Sequence, residues 1–311
     1  MADPKLRFRF HEPTIDLNRP ISEGTVKVDG FTLELVDREG DADAWDHGFG
    51  ALVRDKVNNA PYVCIPAFPN RKFRLSYIFV NGAAKIDCPR DLEDKRVGIS
   101  SWGNTAGVWA RGALQNFYGV DLTRIKWFAP RPDATPVAPG IRIERLPKGG
   151  SDALLLAGEL DAVIEPNVLP SITKRDPRVR RLFRDYKREE QLYFQHTGIF
   201  PISHVVTLTQ EFVNRHPGAP VALLKAFRRA RDMAFDRLQG SDPDVLAISW
   251  ASAAVDEQRA LMGDSYWPYN VENNRRVLEA MTLFAFQQGL TPERIDYESL
   301  FAPEAAALVG A

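Results

Sequence analysis

Two arginines three positions apart, Arg71 and Arg74, stand in the stretch P-A-F-P-N-R-K-F-R-L-S-Y-I-F-V over residues 66–80, directly before an apolar, aromatic run. A guanidinium is a planar fork that takes a carboxylate through two parallel N–H···O bonds, so arginines beside a cleft are chemistry for an anionic ligand. The alternative is a proline-rich surface turn with solvated arginines. A second anion-binding pattern lies over 97–118, where V-G-I-S-S reads as a strand, W-G-N-T-A-G as a glycine turn and 108–118 as a helix closed by Gly119. Asn104 or Thr105 would cap that helix, and the unpaired N–H groups of its first turn attract an anion. No G-K-[ST] follows and no G-x-G-x-x-G is present, so a small carboxylate fits better than a nucleotide.

Candidate proton-transfer groups are fewer. His204 ends T-G-I-F-P-I-S-H (197–204) and runs into the apolar strand 205–208, repeating the earlier order of aromatic, proline, polar group and strand. Two such crossings would make a two-stranded hinge. His204 would then project toward a cleft, the alternative being a histidine hydrogen-bonded within the core. His47 lies between Asp46 and Gly48 near an expected strand end, where Asp46 could orient or charge it. Arg19, in the loop 11–20 after the opening strand, and Glu165, after the strand 160–164, occupy positions where open α/β sheets place ligands, although Glu165 also reads as an exposed loop carboxylate. Trp102, Trp109 and Trp267 read as core or cleft wall, and any of them could stack on an aromatic ligand.

Other chemistries are excluded by what is missing. The five histidines form no H-x-H or H-E-x-x-H and no Cys/His cluster, which argues against a built-in transition-metal centre. There is no G-x-S-x-G elbow and no dinucleotide fingerprint, so no cofactor is expected. The two cysteines, Cys64 and Cys88, lack C-x-x-C or ligand spacing and read as buried free thiols. With 40 Lys+Arg against 41 Asp+Glu, the net charge of −1 provides no field for nucleic acid or an anionic membrane. The start of the chain lacks an apolar signal core and no run approaches a membrane span, so a cytoplasmic protein is expected.

The elements that must position these groups follow from periodicity and punctuation. Strands are expected at 6–10, around an Asp-Gly turn in 25–35, and at 62–65, 75–80, 97–101, 124–128, 141–146, 160–164 and 205–208. Helices are expected before Val57 and at 108–118 and 152–157, then at 210–215, 221–238, 256–262 and 272–288 with no later strand. Residues 131–140 read as a proline-rich loop, and the charge-dense stretch 176–190 as a solvated surface. At 311 residues the chain suggests two domains.

With these residues in place, the sequence resembles the 4,5-dihydroxyphthalate decarboxylase family, which shares the fold of type II periplasmic binding proteins. The resemblance rests on I-P-A-F-P-N-R-K-F-R (65–74), residues 91–98, Thr105-Ala with V-W-A-R-G (108–112), A-G-E-L-D-A (157–162), D-P-R-V-R-R-L-F (176–183), residues 197–204, and A-L-M-G (260–263) with Trp267-Pro-Tyr. It implies an α/β fold of two lobes with two hinge crossings and a helical C-terminal segment. Lobe one would be 1–79 plus 201–311, lobe two 80–200, with ligand between them. Three features depart from the family pattern and bear on pocket shape and acid–base chemistry. Leu75 stands where relatives carry a histidine, the helix between the second and third strands is largely missing, and Glu165-Pro-Asn replaces small residues.

The implied activity is metal-independent decarboxylation of a hydroxylated aromatic acid. Arg71, Arg74 and Arg111 would hold carboxylates, aided by Thr105 and with Asn104 and Trp109 nearby, and His204 or else His47 would protonate the ring carbon. The partner is then a small aromatic carboxylate, with assembly into a homo-oligomer left open. The competing expectation is a solute-binding protein for a small aromatic or carboxylate anion.

Overall fold

The computed structural model describes residues 3–132, 135–239 and 247–308. Two mixed sheets carry the architecture. The first contains β1 (Lys5–Arg9), β2 (Thr32–Leu35), β3 (Ala44–Gly48), β4 (Tyr62–Arg71) and β11 (Ile202–Thr209) in the order β2-β1-β3-β11-β4. The second contains β5 (Ile78–Asn81), β6 (Arg96–Ile99), β7 (Lys126–Ala129), β8 (Ile143–Arg145), β9 (Ala162–Ile164) and β10 (Val179–Arg181) in the order β10-β5-β9-β6-β7-β8. Strands β1, β2 and β3 run parallel, as do β9, β6, β7 and β8, whereas β11 and β5 run antiparallel to their neighbours.

The chain passes from the first sheet to the second after β4 and returns just before β11. The two crossings are bonded to each other: Lys72 N–H donates to the Pro201 carbonyl at 3.0 Å, and Ile202 pairs with Arg71. The pairing of β11 with β4 shifts register on both sides of His204. Such bulges bend a strand and re-aim one side chain, and here that side chain is the imidazole.

Apolar burial explains why these segments are strands. Ile65, Ala67 and Phe68 of β4 and Val205, Val206 and Leu208 of β11 are all buried, as expected of strands covered on both faces. The main core runs without a break from the first sheet through helix Thr105–Asn116 to the C-terminal helix Arg275–Gln287. A smaller cluster of Phe79, Leu154, Leu155, Leu160, Val163, Leu169 and Val179 fills the far side of the second sheet. Among the described residues no helix is long and apolar enough to cross a membrane.

Several sequence expectations change. The strand expected at 75–80 splits into a 3-10 turn, Leu75–Tyr77, and β5, because Tyr77 N–H folds back onto the Arg74 carbonyl. Within 25–35 only Thr32–Leu35 is a strand. Val26 and Val28 are buried, but Val26 N–H bonds to Pro20 O outside any ladder. The stretch 176–190 is not all surface: Val179, Leu182 and Phe183 are buried, and β10 pairs with β5. Cys64 is buried as expected, whereas Cys88 is exposed, ahead of the 3-10 turn Pro89–Leu92. The C-terminal segment touches the first sheet through an isolated bridge between Phe301 and Cys64. Of the loop expected over 131–140, residues 133 and 134 lie outside the described residues.

Candidate functional site

A cleft of about 380 Å³ opens where the two crossings meet the starts of two helices. One wall is the ends of the crossings, bringing Asn70, Lys72 and Arg74 beside Ser203 and His204. The facing wall is the first turns of helix Phe49–Val57 and helix Thr105–Asn116. Pro166 and Asn167, just beyond β9, and His11, just beyond β1, complete it. These are loops at strand carboxyl ends, where α/β sheets present ligand-binding groups.

The two helix starts are clasped together. Thr105 Oγ1 accepts a 3.0 Å hydrogen bond from Gly50 N–H, and a Cβ at Gly50 would lie 3.3 Å from that oxygen, so a glycine allows the close approach. Asn104 caps its helix, its Oδ1 accepting from Ala106 N–H at 3.0 Å. Helix Phe49–Val57 begins at Gly48 with no side-chain cap, and its first turn lines the cleft. Helix N-termini carry partial positive charge, so both starts favour an anion.

Arg74 supplies the full charge. Its guanidinium is buried, donating from Nη1 to the Pro166 carbonyl at 3.1 Å and from Nη2 to Ser203 Oγ at 2.7 Å, while Nε has no partner. It lies over the Tyr77 ring at 5.3 Å. Burial pushes its pKa down to about 10. Lys72 adds an exposed second cation, and among the described residues the lining contains no Asp or Glu. The cleft therefore holds positive charge with no carboxylate facing it.

Two imidazoles line the same cleft. The rings of His11 and His204 meet edge to face, with centroids 4.6 Å apart. Behind them Asp46, its side chain only 1% exposed, sits with Oδ2 3.9 Å from His204 Nδ1 and accepts the His11 backbone N–H on Oδ1 at 2.5 Å. Burial and the facing His204 hold the pKa of His11 below its ordinary value. Among the described residues no group of three or more His, Cys, Asp or Glu side chains is placed to hold a metal ion.

Of the residues singled out by sequence, Arg74, Asn104, Thr105 and His204 come together on this cleft. The others lie elsewhere. Arg71 is buried beneath the crossing, bonded to Asn274 and to the carbonyls of Phe200 and Pro268, with its guanidinium 5.2 Å from the Phe68 ring. Arg111 is buried in the core, donating to Gln288 Oε1 at 2.9 Å and to the Trp102 carbonyl, 3.9 Å over the Trp102 ring. Burial pushes both arginines down to about 9. Trp109 is a core strut whose indole N–H donates to Ile202 O at 2.7 Å. Arg19 is exposed and donates to Thr14 O at 3.0 Å. Glu165 is half-buried beside the lining residue Pro166, with its carboxyl pKa raised by burial.

The expected pairing of Asp46 with His47 does not form, because neighbours on a strand point to opposite faces. Asp46 faces His204 and His11, whereas His47 faces Trp45, Asp55 and Tyr62. An indole can only donate, so Trp45 Nε1–H, 3.1 Å from His47 Nδ1, leaves the His47 proton on Nε2 toward Asp55. His47 does not line the cleft. Sequence reasoning missed His11, Lys72 and Ser203. The available signal was position alone, since each sits one or two residues from a marked residue or a strand end.

No protein-family model matches the chain. A protein from Comamonas testosteroni named 4,5-dihydroxyphthalate decarboxylase is 28% identical over 320 residues, covering 96% of this chain and 97% of that protein. One of the same name from Pseudomonas putida is 28% identical over 188 residues, covering 54% of this chain and 73% of that protein. Among solved structures, the periplasmic aliphatic sulphonate binding protein SsuA from Escherichia coli superimposes with a TM-score of 0.58 at 13% identity, covering 96% of this chain and 98% of that one. The chain is thus similar over nearly its whole length to 4,5-dihydroxyphthalate decarboxylase, and it has the two-lobed α/β fold of SsuA-type periplasmic binding proteins.

Proposed function

We propose that this protein is a non-oxidative decarboxylase of a hydroxylated aromatic dicarboxylate, of which 4,5-dihydroxyphthalate is the leading candidate. The observation that carries the proposal is the buried Arg74 guanidinium, with no hydrogen-bonded carboxylate among the described residues, on a cleft walled by two helix starts and by His204. The nearly full-length likeness to proteins named for this activity supports the substrate.

One substrate carboxylate is held by Arg74, the Thr105 hydroxyl and the first turns of the two helices, through charge-assisted hydrogen bonds that strengthen as water is excluded. The second carboxylate leaves. His204, protonated and backed by Asp46, gives its proton to the ring carbon that bears the leaving group, while the hydroxyl para to that carbon loses its proton and pushes electrons into the ring. The bond to CO₂ then breaks and its electron pair restores aromaticity. Overall one proton replaces one CO₂, with no change in oxidation state of the protein.

Incubation of the purified protein with 4,5-dihydroxyphthalate should release CO₂ and 3,4-dihydroxybenzoate in equal amounts. Absence of both product and binding would remove the substrate assignment. The likeness in fold to a sulphonate-binding protein favours a second reading, a binding protein for a small aromatic or carboxylate anion. That reading expects calorimetric binding of the same dicarboxylate with no CO₂ release over hours.

A further inference from the structure

We propose that His11 is the second catalytic group of this cleft, the base that takes the phenolic proton while His204 delivers one to the ring carbon. The inference rests on the decarboxylase reading and assigns the step that reading leaves without a residue.

The geometry assigns opposite roles to the two imidazoles. They lie edge to face at 4.6 Å, too close to be charged together without repulsion. Asp46 is placed differently toward the two rings. Its carboxylate faces a ring nitrogen of His204, whereas it meets His11 only through the backbone amide. His204 Nδ1 is buried with no hydrogen-bond partner, and the Asp46 carboxylate stands 3.9 Å from it. His11 has no carboxylate on its ring and is exposed at the end of β1, lining the same cleft.

The charged groups around His11 agree. From β11 comes His204 and from β1 comes Arg9, both disfavouring an imidazolium; from β3 comes Asp46 and from its own loop Glu12, both favouring one; burial outweighs them. Lys72 and Arg74 line the same cleft. His11 is therefore neutral at pH 7 and free to accept a proton.

The step balances. The phenolic O–H bond breaks and its proton moves to a nitrogen of His11, while the N–H bond of protonated His204 breaks and a C–H bond forms at the ring. After CO₂ leaves, His11 returns its proton to the phenolate, and water reprotonates His204. No oxidant or reductant takes part.

The test uses the full chain and His11→Gln, an exposed substitution that keeps the backbone N–H donated to Asp46. The probe is 4-hydroxy-3-nitrobenzoate, an aromatic carboxylate whose phenolate absorbs visible light. At a pH below the probe's own phenol pKa, binding to the wild-type protein should raise the phenolate band, and His11→Gln should bind the probe without raising it. With 4,5-dihydroxyphthalate, His11→Gln should lower kcat about 10²-fold and lose the acidic limb of its pH profile. An equal phenolate band in both proteins, or an unchanged acidic limb, overturns the role of His11 while leaving the decarboxylase reading intact. If neither protein binds the probe and the wild type does not turn over the dicarboxylate, the two proposals fall together.

Discussion

Ser203 and Arg74 lie 129 residues apart in sequence, yet the serine hydroxyl accepts a 2.7 Å hydrogen bond from the guanidinium. That bond ties the two crossings between the sheets at the point where they face the cleft. It also fixes a cation that has no hydrogen-bonded carboxylate among the described residues and feels Glu190 only through its field. A binding site built this way is incomplete without an anion, and the following predictions separate groups that serve the ligand from groups that serve the fold.

Arg74→Met removes a buried charge that makes no ion pair with any carboxylate among the described residues, Glu190 acting on it only through its field. Replacing such a charge with an apolar side chain is often neutral or stabilising, so the melting temperature should stay level or rise. Affinity for an aromatic dicarboxylate should fall about 10²-fold or more, as expected for loss of a charge-assisted contact in a water-poor cleft. Arg111→Met, by contrast, strands the Trp102 carbonyl and Gln288 Oε1 in the core and should lower the melting temperature without ligand. Thermal denaturation of both variants with and without the dicarboxylate checks the contrast; a destabilised Arg74→Met with intact binding would reverse it.

Asp46→Asn keeps the shape of the side chain and removes the charge behind His204. Asp46 is not itself part of the cleft lining and stands behind His11 and His204, so KM should change little while kcat falls about 10-fold or more. Steady-state kinetics measure the split. An unchanged kcat would show that Asp46 only anchors the loop at His11.

The cluster of His47, Asp55 and Tyr62 should be a source of stability with a defined pH range. Burial raises the Asp55 carboxyl pKa, but hydrogen bonds from His47, Tyr62 and Arg54 outweigh it and leave the pKa well below the ordinary value. A carboxyl depressed in the folded state contributes stability that is present above its unfolded pKa, about 3.9, and is lost as pH falls toward the folded one. Asp55→Asn should therefore melt lower than the wild type at pH 7, with the gap closing below about pH 4. A gap that persists unchanged to pH 2 would mean that packing, and not ionisation, carries the contribution.

Gly289 closes helix Arg275–Gln287 with φ +77°, and a Cβ there would collide with the backbone of Val137 and Ala138. Ala138 N–H is meanwhile held by the Gln288 carbonyl at 3.0 Å, so the two segments cannot separate freely. Gly289→Ala should cost about 2–4 kcal/mol in a urea unfolding titration. A loss under half a kilocalorie per mole, as at an exposed surface site, would show that the 137–138 segment yields.

The outline of the fold was legible because its signals are local. Glycine turns, caps and apolar runs marked the helix after Asn104, the strand ending at Ile164 and the apolar strand 205–208. The two aromatic-proline stretches before Ile78 and Ile202 marked the crossings for the same reason: each couples a polar turn to a buried strand. Arg74, Asn104, Thr105 and His204 were marked because they stand at or near the ends of such elements, and the folded chain brings those four to one cleft.

The remaining assignments depended on residues far away in the chain. By itself the sequence marked two crossings, the start of one helix, a histidine and three candidate arginines, of which Arg74 alone lines the cleft. It could not distinguish Arg71 from Arg74, which share a motif. Tertiary structure decides between them: Asn274, Phe200 and Pro268 hold the Arg71 guanidinium away from the cleft lining, while Arg74, bonded to Pro166 and Ser203, lines it. Likewise only strand pairing turned Asp46 toward His204 and His11 and turned His47 away. The physical reason is the same in both cases: a side chain's role is set by which partners reach it, and those partners arrive from other strands and helices that no local spacing encodes.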